Sequence, residues 1–147
     1  MPQISIRAAI PADFEAVTAL VAALGRPGMT DDNRIALQVL FGRYLARQDT
    51  SPLVAELDGR VAGFLSLEFR ERLNRVQPQA WIPELIVGEP YRGQGVGKAL
   101  VGQAIDLARM RGCWSVKLES RAHRKEAHQL YRSFGLREVG LYFLLEL

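Results

Sequence analysis

The heptapeptide Arg92–Lys98 reads Arg-Gly-Gln-Gly-Val-Gly-Lys and carries the clearest chemical signal in the sequence. The apolar strand pattern Leu85–Val87 precedes it, and an amphipathic helix pattern follows. Glycines at 93, 95 and 97 allow positive φ and a close approach of a ligand to the backbone. Amide groups at the start of the following helix would face one concavity, where the helix dipole favours an anion. Because Arg92 and Lys98 add positive charge, we predict a phosphate or pyrophosphate site here.

Two well-known phosphate-binding loops do not match this segment. A Walker loop needs Gly where Arg92 stands and Ser or Thr after its lysine, but Ala99 follows Lys98. The dinucleotide pattern Gly-x-Gly-x-x-Gly fails at Lys98 when it is counted from Gly93, and at Leu100 when it is counted from Gly95. The segment therefore predicts an anion site of another class.

Two carboxylates and one phenol are candidates for proton transfer. Glu84 stands between Pro83 and Leu85 in an apolar strand pattern, where burial of a charge is costly unless the charge is paired or used. Glu119 follows the next strand pattern and is the rival, although it is also typical of a solvated strand end. Tyr131 lies on an apolar helix stripe with Leu130, so its spacing alone also fits a core residue.

Composition excludes several other classes of protein. The chain has 147 residues, 48% hydrophobic and 24% charged, which is typical of one soluble globular domain, and we expect one domain over residues 1–147. No apolar run is long enough to span a membrane, and the first residues lack the pattern of a secretory signal, so we expect a cytoplasmic protein. One cysteine and two histidines, without a carboxylate at ligand spacing, predict no metal site.

The net charge of +3 is unevenly distributed. Residues 1–59 hold 5 Lys/Arg against 7 Asp/Glu, and residues 60–147 hold 14 against 9. The second half, which includes a basic cluster at 121–125, is therefore where we expect an anionic ligand. No basic-aromatic stripe or helix-turn-helix pattern accompanies the charge, so we expect no nucleic-acid partner.

The elements that position these residues follow from hydrophobic periodicity and turn signals. We predict strands at 3–8, 53–57, 60–69, 81–87, 114–118 and 139–147, helices after Pro11, after Thr30, after Gly97 and at 124–134, and a polar loop at 70–79. Asp58-Gly59 predicts a tight hairpin. A strand–helix–strand succession in the second half predicts a parallel pair. The fold class is therefore α/β of the α+β type, with a mixed, mostly antiparallel sheet and helices on both faces.

Several segments together resemble the GNAT superfamily of N-acetyltransferases. Arg92-x-x-Gly95-x-Gly97 after a Leu-x-Val strand resembles the pyrophosphate loop that binds acetyl-CoA. The Pro-Ala-Asp-Phe helix start, the hairpin at 54–64 and the helix ending Tyr131-Arg-Ser-Phe-Gly resemble the family's other segments in the same order. Arg124-x-x-Ala-His-x-x-Tyr131 is most similar to aminoalkylphosphonate and some aminoglycoside acetyltransferases, whereas peptide N-terminal acetylators more often have Asn where Arg124 stands.

The resemblance implies a role for each candidate residue. Acetyl-CoA would be held by residues 92–98 (Arg92, Gly93, Gln94, Gly95, Val96, Gly97, Lys98), by the backbone of Ile86 and Val87, and by Arg124 and Tyr131. Tyr131 would protonate the departing thiolate, and its ordinary pKa near 10 suits that task. Glu84, or alternatively Glu119, would deprotonate the amine. The parallel pair would lie at the cofactor site.

The activity implied is acetyl transfer from acetyl-CoA to a primary amine of a small molecule by direct attack. A protein or peptide acetyltransferase of the same fold is one alternative, and a non-catalytic acyl-CoA-binding regulatory module is another. The family often dimerises, and the apolar segment Leu141–Leu147 is suited to pair with a second chain. The sequence does not identify the amine.

Overall fold

The computed structural model describes residues 3–24, 28–120 and 125–147. The helices are α1 (Phe14–Ala22), α2 (Arg34–Ala46), α3 (Val96–Met110) and α4 (Lys125–Ser133). The strands are β1 (Ile4–Ala8), β2 (Leu53–Leu57), β3 (Arg60–Leu65), β4 (Glu68–Arg72), β5 (Arg75–Ile82), β6 (Leu85–Val87) and β7 (Ser115–Leu118). Short 3₁₀ helices occupy Pro11–Asp13 and Glu89–Tyr91.

The strands form two hydrogen-bonded sheets. The first has the order β1-β2-β3-β6, and all its neighbours are antiparallel. The second has the order β4-β5-β7, in which β4 and β5 are antiparallel and β5 and β7 are parallel. Gln79 lies opposite Ser115 and Ile82 opposite Leu118 in that parallel pair. The predicted mixed, mostly antiparallel architecture with one parallel pair is confirmed.

Helices cover both faces of the first sheet, as predicted. Alternate residues of a strand point to opposite faces, and Leu53 and Leu65 accordingly join the core beneath α3, which also contains Leu100. The neighbouring residues Val54 and Phe64 pack on the other side against Val17 of α1. The sheet is therefore buried on both faces at the point where β3 meets β6.

Arg7 on β1 fixes the start of the first helical segment. Its guanidinium donates to both carboxylate oxygens of Asp13, at 2.7 and 2.8 Å, and to Glu56 at 2.8 Å. Asp13 is buried and also accepts the Ile10 N–H at 2.8 Å. The hydrogen bond from Arg7 is the main cause that lowers the pKa of Asp13. This ion pair ties the beginning of α1 to the sheet.

The Asp58-Gly59 turn is confirmed, since Leu57 lies opposite Arg60 and both turn residues have positive φ, 51° and 81°. The segment that follows differs from the prediction. The strand predicted at 60–69 is divided into β3 and β4, and the predicted polar loop at 70–79 is an antiparallel ribbon in which Arg72 lies opposite Arg75. The outer residues of this ribbon are exposed and mostly charged or polar, so the sequence lacks the apolar alternation that indicates a strand.

The strand predicted at 81–87 is also divided. β5 ends at Ile82, Pro83 and Glu84 interrupt it, and β6 resumes at Leu85. The interruption transfers the chain from one sheet to the other, because β5 pairs with β7 whereas β6 pairs with β3. A proline lacks the N–H that a central strand must donate, which accounts for the break.

The prediction of a final strand at 139–147 is wrong. No strand is assigned there, and the large apolar side chains are exposed: Val139, Leu141, Tyr142, Phe143, Leu144, Leu145 and Leu147. The apolar alternation that favoured a strand is present in the sequence, but no described strand of the same chain pairs with it. We call residues 139–147 the C-terminal segment.

Candidate active site

The glycine-rich turn forms an anion-binding geometry at the start of α3. Gly93 and Gly95 have φ values of 76° and 89°, which side chains rarely tolerate. Gly95 occupies the N-cap position, so no side chain caps the first amides of α3. The first amide groups of a helix have no partner within the helix. The N–H groups at residues 96–98 are therefore available to an anion, and the helix dipole favours negative charge there.

Two side chains of this turn also shape the loop itself. Arg92 donates from Nε to the carbonyl of Val87 at 3.2 Å, and Gln94 donates from Nε2 to the carbonyl of Pro90 at 3.3 Å. The loop is thereby fastened to the end of β6. Lys98 is exposed on the first turn of α3, where its ammonium adds positive charge to the concavity.

Gly97 has a different role from the other two glycines, because it does not take the positive φ that a glycine allows. It lies inside α3 and is absent from the positive-φ residues. A Cβ on Gly97 would come within 3.2 Å of Cδ2 of Leu130 and 3.6 Å of Cγ2 of Val87. Its missing side chain therefore lets α3 lie close to Leu130 of α4 and to Val87 of β6.

That close approach positions Tyr131, which directly follows Leu130 on α4. Farther along the same helix, Phe134 lies beside Gly102, with ring atoms at 3.8 and 3.9 Å from the position of a Cβ. α4 then ends at Gly135, whose φ is 89°. These two contacts with α3 fix the helix that carries Tyr131, which is half-buried.

Glu84 lies at the interruption between β5 and β6, and Ser66 holds it. The Ser66 hydroxyl donates to Oε2 of Glu84 and accepts the Glu84 N–H at 2.7 Å. The Ser66 N–H in turn donates to the Glu84 carbonyl at 3.0 Å. Ser66 is 2% exposed, so these bonds form away from water. Glu84 itself is half-buried, and its carboxylate is both oriented and partly reachable.

Tyr44 of α2 and Glu68 of β4 extend this polar group. The Tyr44 hydroxyl donates to Oε2 of Glu68 at 3.3 Å. Burial is the main cause that raises the pKa of Tyr44, and the negative charges of Glu68 and Glu84 raise it further. Tyr44 therefore stays protonated and donates its hydroxyl proton to Glu68.

Sequence reasoning missed Ser66, Glu68 and the polar role of Tyr44. A signal was present, because Ser66 and Glu68 are polar alternate residues in the otherwise apolar run Gly63–Phe69. A buried polar side chain requires a hydrogen-bond partner, which predicts a polar group on the same face. Tyr44 was hidden among apolar neighbours on the helix stripe of α2.

The other predicted residues are placed as follows. Glu119 is exposed immediately after β7. Ser120 Oγ lies 3.1 Å from Nε2 of His128. Arg124 lies outside the described residues. Burial raises the pKa of the Cys113 thiol, which opposes thiolate formation. Within the described ranges, no group of three His, Cys, Asp or Glu side chains is suited to hold a metal ion.

The divided sheet leaves an open backbone edge beside these residues. β6 is the terminal strand of its sheet, so its side opposite β3 has no strand partner within the described ranges. Gly88 N–H donates to Ala62, and Ser66 N–H donates to the Glu84 carbonyl. Because backbone bonds alternate along antiparallel strands, Ile86 pairs with β3 and the Val87 N–H points to the open side.

Comparison with known proteins gives the family. Residues 18–136 match the acetyltransferase (GNAT) family. The chain belongs to the GNAT acetyltransferase family. It is therefore an N-acetyltransferase, and enzymes of this family use acetyl-CoA. The architecture described above, with its mixed sheet and parallel pair, is the GNAT fold.

Individual relatives differ in how much of their length the chain covers. It is 28% identical over 146 residues to aminoalkylphosphonate N-acetyltransferase of Salmonella typhimurium, covering 97% of this chain and 91% of that protein. It is 36% identical over 87 residues to N-acetylaspartate synthetase of Danio rerio, covering 59% of this chain but only 29% of that protein. The structure of glucosamine-6-phosphate N-acetyltransferase from Arabidopsis thaliana shares the fold, with a TM-score of 0.84, 20% identity and 98% coverage of both chains.

Within the described residues, no helix combines the length and the apolar composition needed to cross a membrane.

Proposed function

We propose that residues 1–147 form an acetyl-CoA-dependent enzyme that acetylates a primary amine of a small molecule by direct attack. The observation that carries this proposal is the placement of Glu84. Its carboxylate, oriented by Ser66, stands directly before the open edge of β6, and the same strand leads into the glycine-rich turn. A proton acceptor, a free backbone donor and an anion site thus follow one another along residues 84–98.

The glycine-rich turn holds the pyrophosphate of acetyl-CoA in this proposal. The amides at residues 96–98 donate to its oxygens, and Lys98 adds an attractive charge. The rest of the cofactor then runs along the open side of β6. The Val87 N–H donates to the thioester oxygen and stabilises the negative charge that develops there, while Ile86 contributes by packing. Arg124 is a further contact implied by the family pattern.

The proposed chemical step includes two proton transfers, one from the amine and one to the leaving sulfur. The amine nitrogen forms a bond to the thioester carbon, and the carbon–sulfur bond breaks. Glu84 accepts the proton that the amine loses, directly or through water, and the Tyr131 hydroxyl donates a proton to the departing sulfur. Glu119, which directly follows β7 and is exposed, is the alternative base.

Calorimetry and an amine screen test the proposal. We expect CoA to bind the wild-type chain, and Gly95→Asp to abolish binding, because it adds a negative charge and a side chain at φ 89°. Release of CoA in the presence of acetyl-CoA and small amines should be detected with a thiol reagent. Absence of CoA binding would overturn the proposal. Binding without turnover of any amine or peptide would instead indicate an acyl-CoA-binding regulatory module.

We also propose a homodimer formed through the C-terminal segment. Seven exposed large apolar side chains are unfavourable in water, and β7 is the terminal strand of its sheet. A second copy offers the same pair of features, so a symmetric exchange buries both segments.

Sedimentation analysis tests the dimer. The wild-type chain should sediment as a dimer, and a chain with Leu141→Lys and Phe143→Lys should sediment as a folded monomer. A wild-type monomer at micromolar concentration would overturn the dimer proposal without affecting the proposed activity.

A further inference from the structure

A basic pocket lies on the ribbon side of the second sheet, apart from the glycine-rich turn. Its volume is about 350 Å³, and it is lined by Arg70, Glu71, Arg72, Gln79, Trp81 and Lys117. Three of these side chains are cationic and one is anionic. The size suits a small molecule, and the excess of positive charge favours an anionic one.

The pocket opens on the same face of the molecule as Glu84. Arg70 lies opposite Gln79, and Trp81 lies opposite Lys117, while the intervening residues Phe69 and Ala80 join the core beneath α3. Glu68 shares the face of Arg70, because alternate strand residues point the same way. Since Glu68 bonds to Tyr44 of α2, the pocket and the polar group around Glu84 adjoin.

The distance between the two ends fits a short substrate. Trp81 precedes Glu84 by three residues, which spans at most about 10 Å of extended chain. Glu68 lies midway in the chain between Ser66, which holds Glu84, and Arg70, which lines the pocket. Two carboxylates, Glu68 and Glu84, therefore stand at one end of this surface. Arg72 and Lys117 stand away from them, and Arg70 lies between, 3.5 Å from Glu68.

The cations of the pocket are only weakly neutralised. Lys117 makes no ion pair within the part of the chain that the structure describes. Among the described residues, Arg72 donates a side-chain hydrogen bond to the Gln79 amide oxygen alone, at 3.4 Å. Arg70 lies 3.5 Å from Oε1 of Glu68, at the limit of a hydrogen bond, and its guanidinium stacks 3.4 Å from the centre of the Trp81 ring.

The indole N–H of Trp81 also lacks a hydrogen-bond acceptor among the described residues, and its Nε1 is buried. A buried donor without an acceptor costs free energy. The pocket thus presents N–H donors in excess of acceptors, which is the chemistry of an oxyanion site.

We propose that this pocket binds the anionic group of the acceptor, so that the substrate is a small amine carrying a phosphonate, phosphate or carboxylate. This inference rests on the proposed acetyltransferase activity. The two carboxylates attract the ammonium end, and Arg70, Arg72 and Lys117 hold the anionic end. The planar guanidinium groups suit two-pronged contact with such oxyanions. The pocket is therefore the specificity site of the enzyme.

Matched amines test the inference. We expect 2-aminoethylphosphonate or β-alanine to exceed propylamine in kcat/KM by at least about tenfold, which corresponds to about 1.4 kcal/mol. The first two compounds also distinguish a phosphonate from a carboxylate. Equal kcat/KM for all three would overturn the inference and leave the proposed activity intact.

Variants separate recognition from a structural role. Lys117→Met and Arg72→Gln should each lower kcat/KM for the anionic amine by about tenfold and leave that for propylamine unchanged. Arg109→Gln, on the exposed side of α3, is the matched control and should alter neither. An equal loss for both amines would overturn the inference, because it would indicate damage to the fold.

Direct binding gives a readout that does not depend on turnover. Methylphosphonate should change the fluorescence of the protein on binding beside Trp81, and Lys117→Met should weaken this binding at least fivefold. Failure of methylphosphonate to bind would overturn the inference. Absence of CoA binding would instead overturn the proposed activity, so the two failures are distinguishable.

Discussion

The hydroxyl of Ser66 holds Glu84 from two directions, donating to its carboxylate and accepting its backbone N–H at 2.7 Å. A single buried residue thus fixes both the position of the strand interruption and the orientation of the candidate base. General bases act efficiently only when they are held in reach of the proton.

Replacement of Glu84 by Gln should lower kcat by about 100-fold or more. Glutamine preserves the shape and the contact with Ser66 but cannot accept a proton. Steady-state kinetics at saturating acetyl-CoA measures the effect, with Glu138→Gln on an exposed residue as the control. If Glu119→Gln produces the loss and Glu84→Gln does not, the base is Glu119.

Ser66→Ala tests the positioning role. We expect kcat to fall by about tenfold with the KM for acetyl-CoA unchanged, because the carboxylate remains but is no longer oriented. Ser5→Ala, at an exposed position of β1, is the matched control. A thermal melt distinguishes this result from unfolding, and an unchanged kcat in a folded variant would contradict the role.

Tyr131→Phe should lower kcat while the affinity for CoA stays within about twofold. The phenol donates a proton only in the chemical step, so its loss affects the transition state more than binding. Kinetics and calorimetry measure the two quantities, and Tyr142→Phe in the C-terminal segment is the control. Unchanged turnover at every pH would remove Tyr131 from the mechanism.

Gly97→Ala should weaken CoA binding by displacing α4. The added Cβ lies 3.2 Å from Leu130 Cδ2, so one of the two must shift. A second substitution, Leu130→Ala, should recover part of the binding by removing that contact. Gly42→Ala is the control, because it meets nothing within 4 Å in α2 and should stabilise the protein by about 0.5–1 kcal/mol. Calorimetry of the three variants decides.

Arg7→Gln should destabilise the protein at neutral pH and much less in acid. The pKa of Asp13 is lowered in the folded chain, so the stability that this pair contributes is present above the unfolded value near 3.9 and is lost as pH falls through the lower folded value. We expect a loss of about 1–2 kcal/mol at pH 7, since Arg7 is about one-third exposed. Urea unfolding at pH 7 and pH 2 measures it.

The matched control for this pair is Arg109→Gln, which lies beside Asp106 on the surface of α3. Both side chains are well exposed, so its effect should be far smaller than that of Arg7→Gln. An equal loss for Arg7→Gln at both pH values would contradict the role of the Asp13 ion pair.

The sequence predicted those parts of the site that depend on local backbone chemistry. Positive φ at Gly93 and Gly95, the Asp58 turn and the parallel pair all follow from residue types and spacing. The polar group of Ser66, Tyr44 and Glu68 does not, because its members come from β3, β4 and α2 and meet only through tertiary packing.

The errors at the sheet have related causes. Charged side chains concealed the β4–β5 ribbon, since hydrophobic alternation is absent where both faces contact water. The C-terminal segment has the alternating pattern of a strand. A strand also needs a neighbouring strand to pair with, and the pattern does not identify that neighbour.

The open edge of β6 has one more consequence. If acetyl-CoA lies along it, the cofactor completes a ladder that the polypeptide leaves unfinished. It then adds a link between the two sheets to those already present, such as the bridge between Thr50, before β2, and Glu68 of β4. The amide protons of Leu85 and Val87, which face the open side, should then exchange with deuterium more slowly when cofactor is added. The rigidity of the protein along β6 would then depend on the concentration of acetyl-CoA.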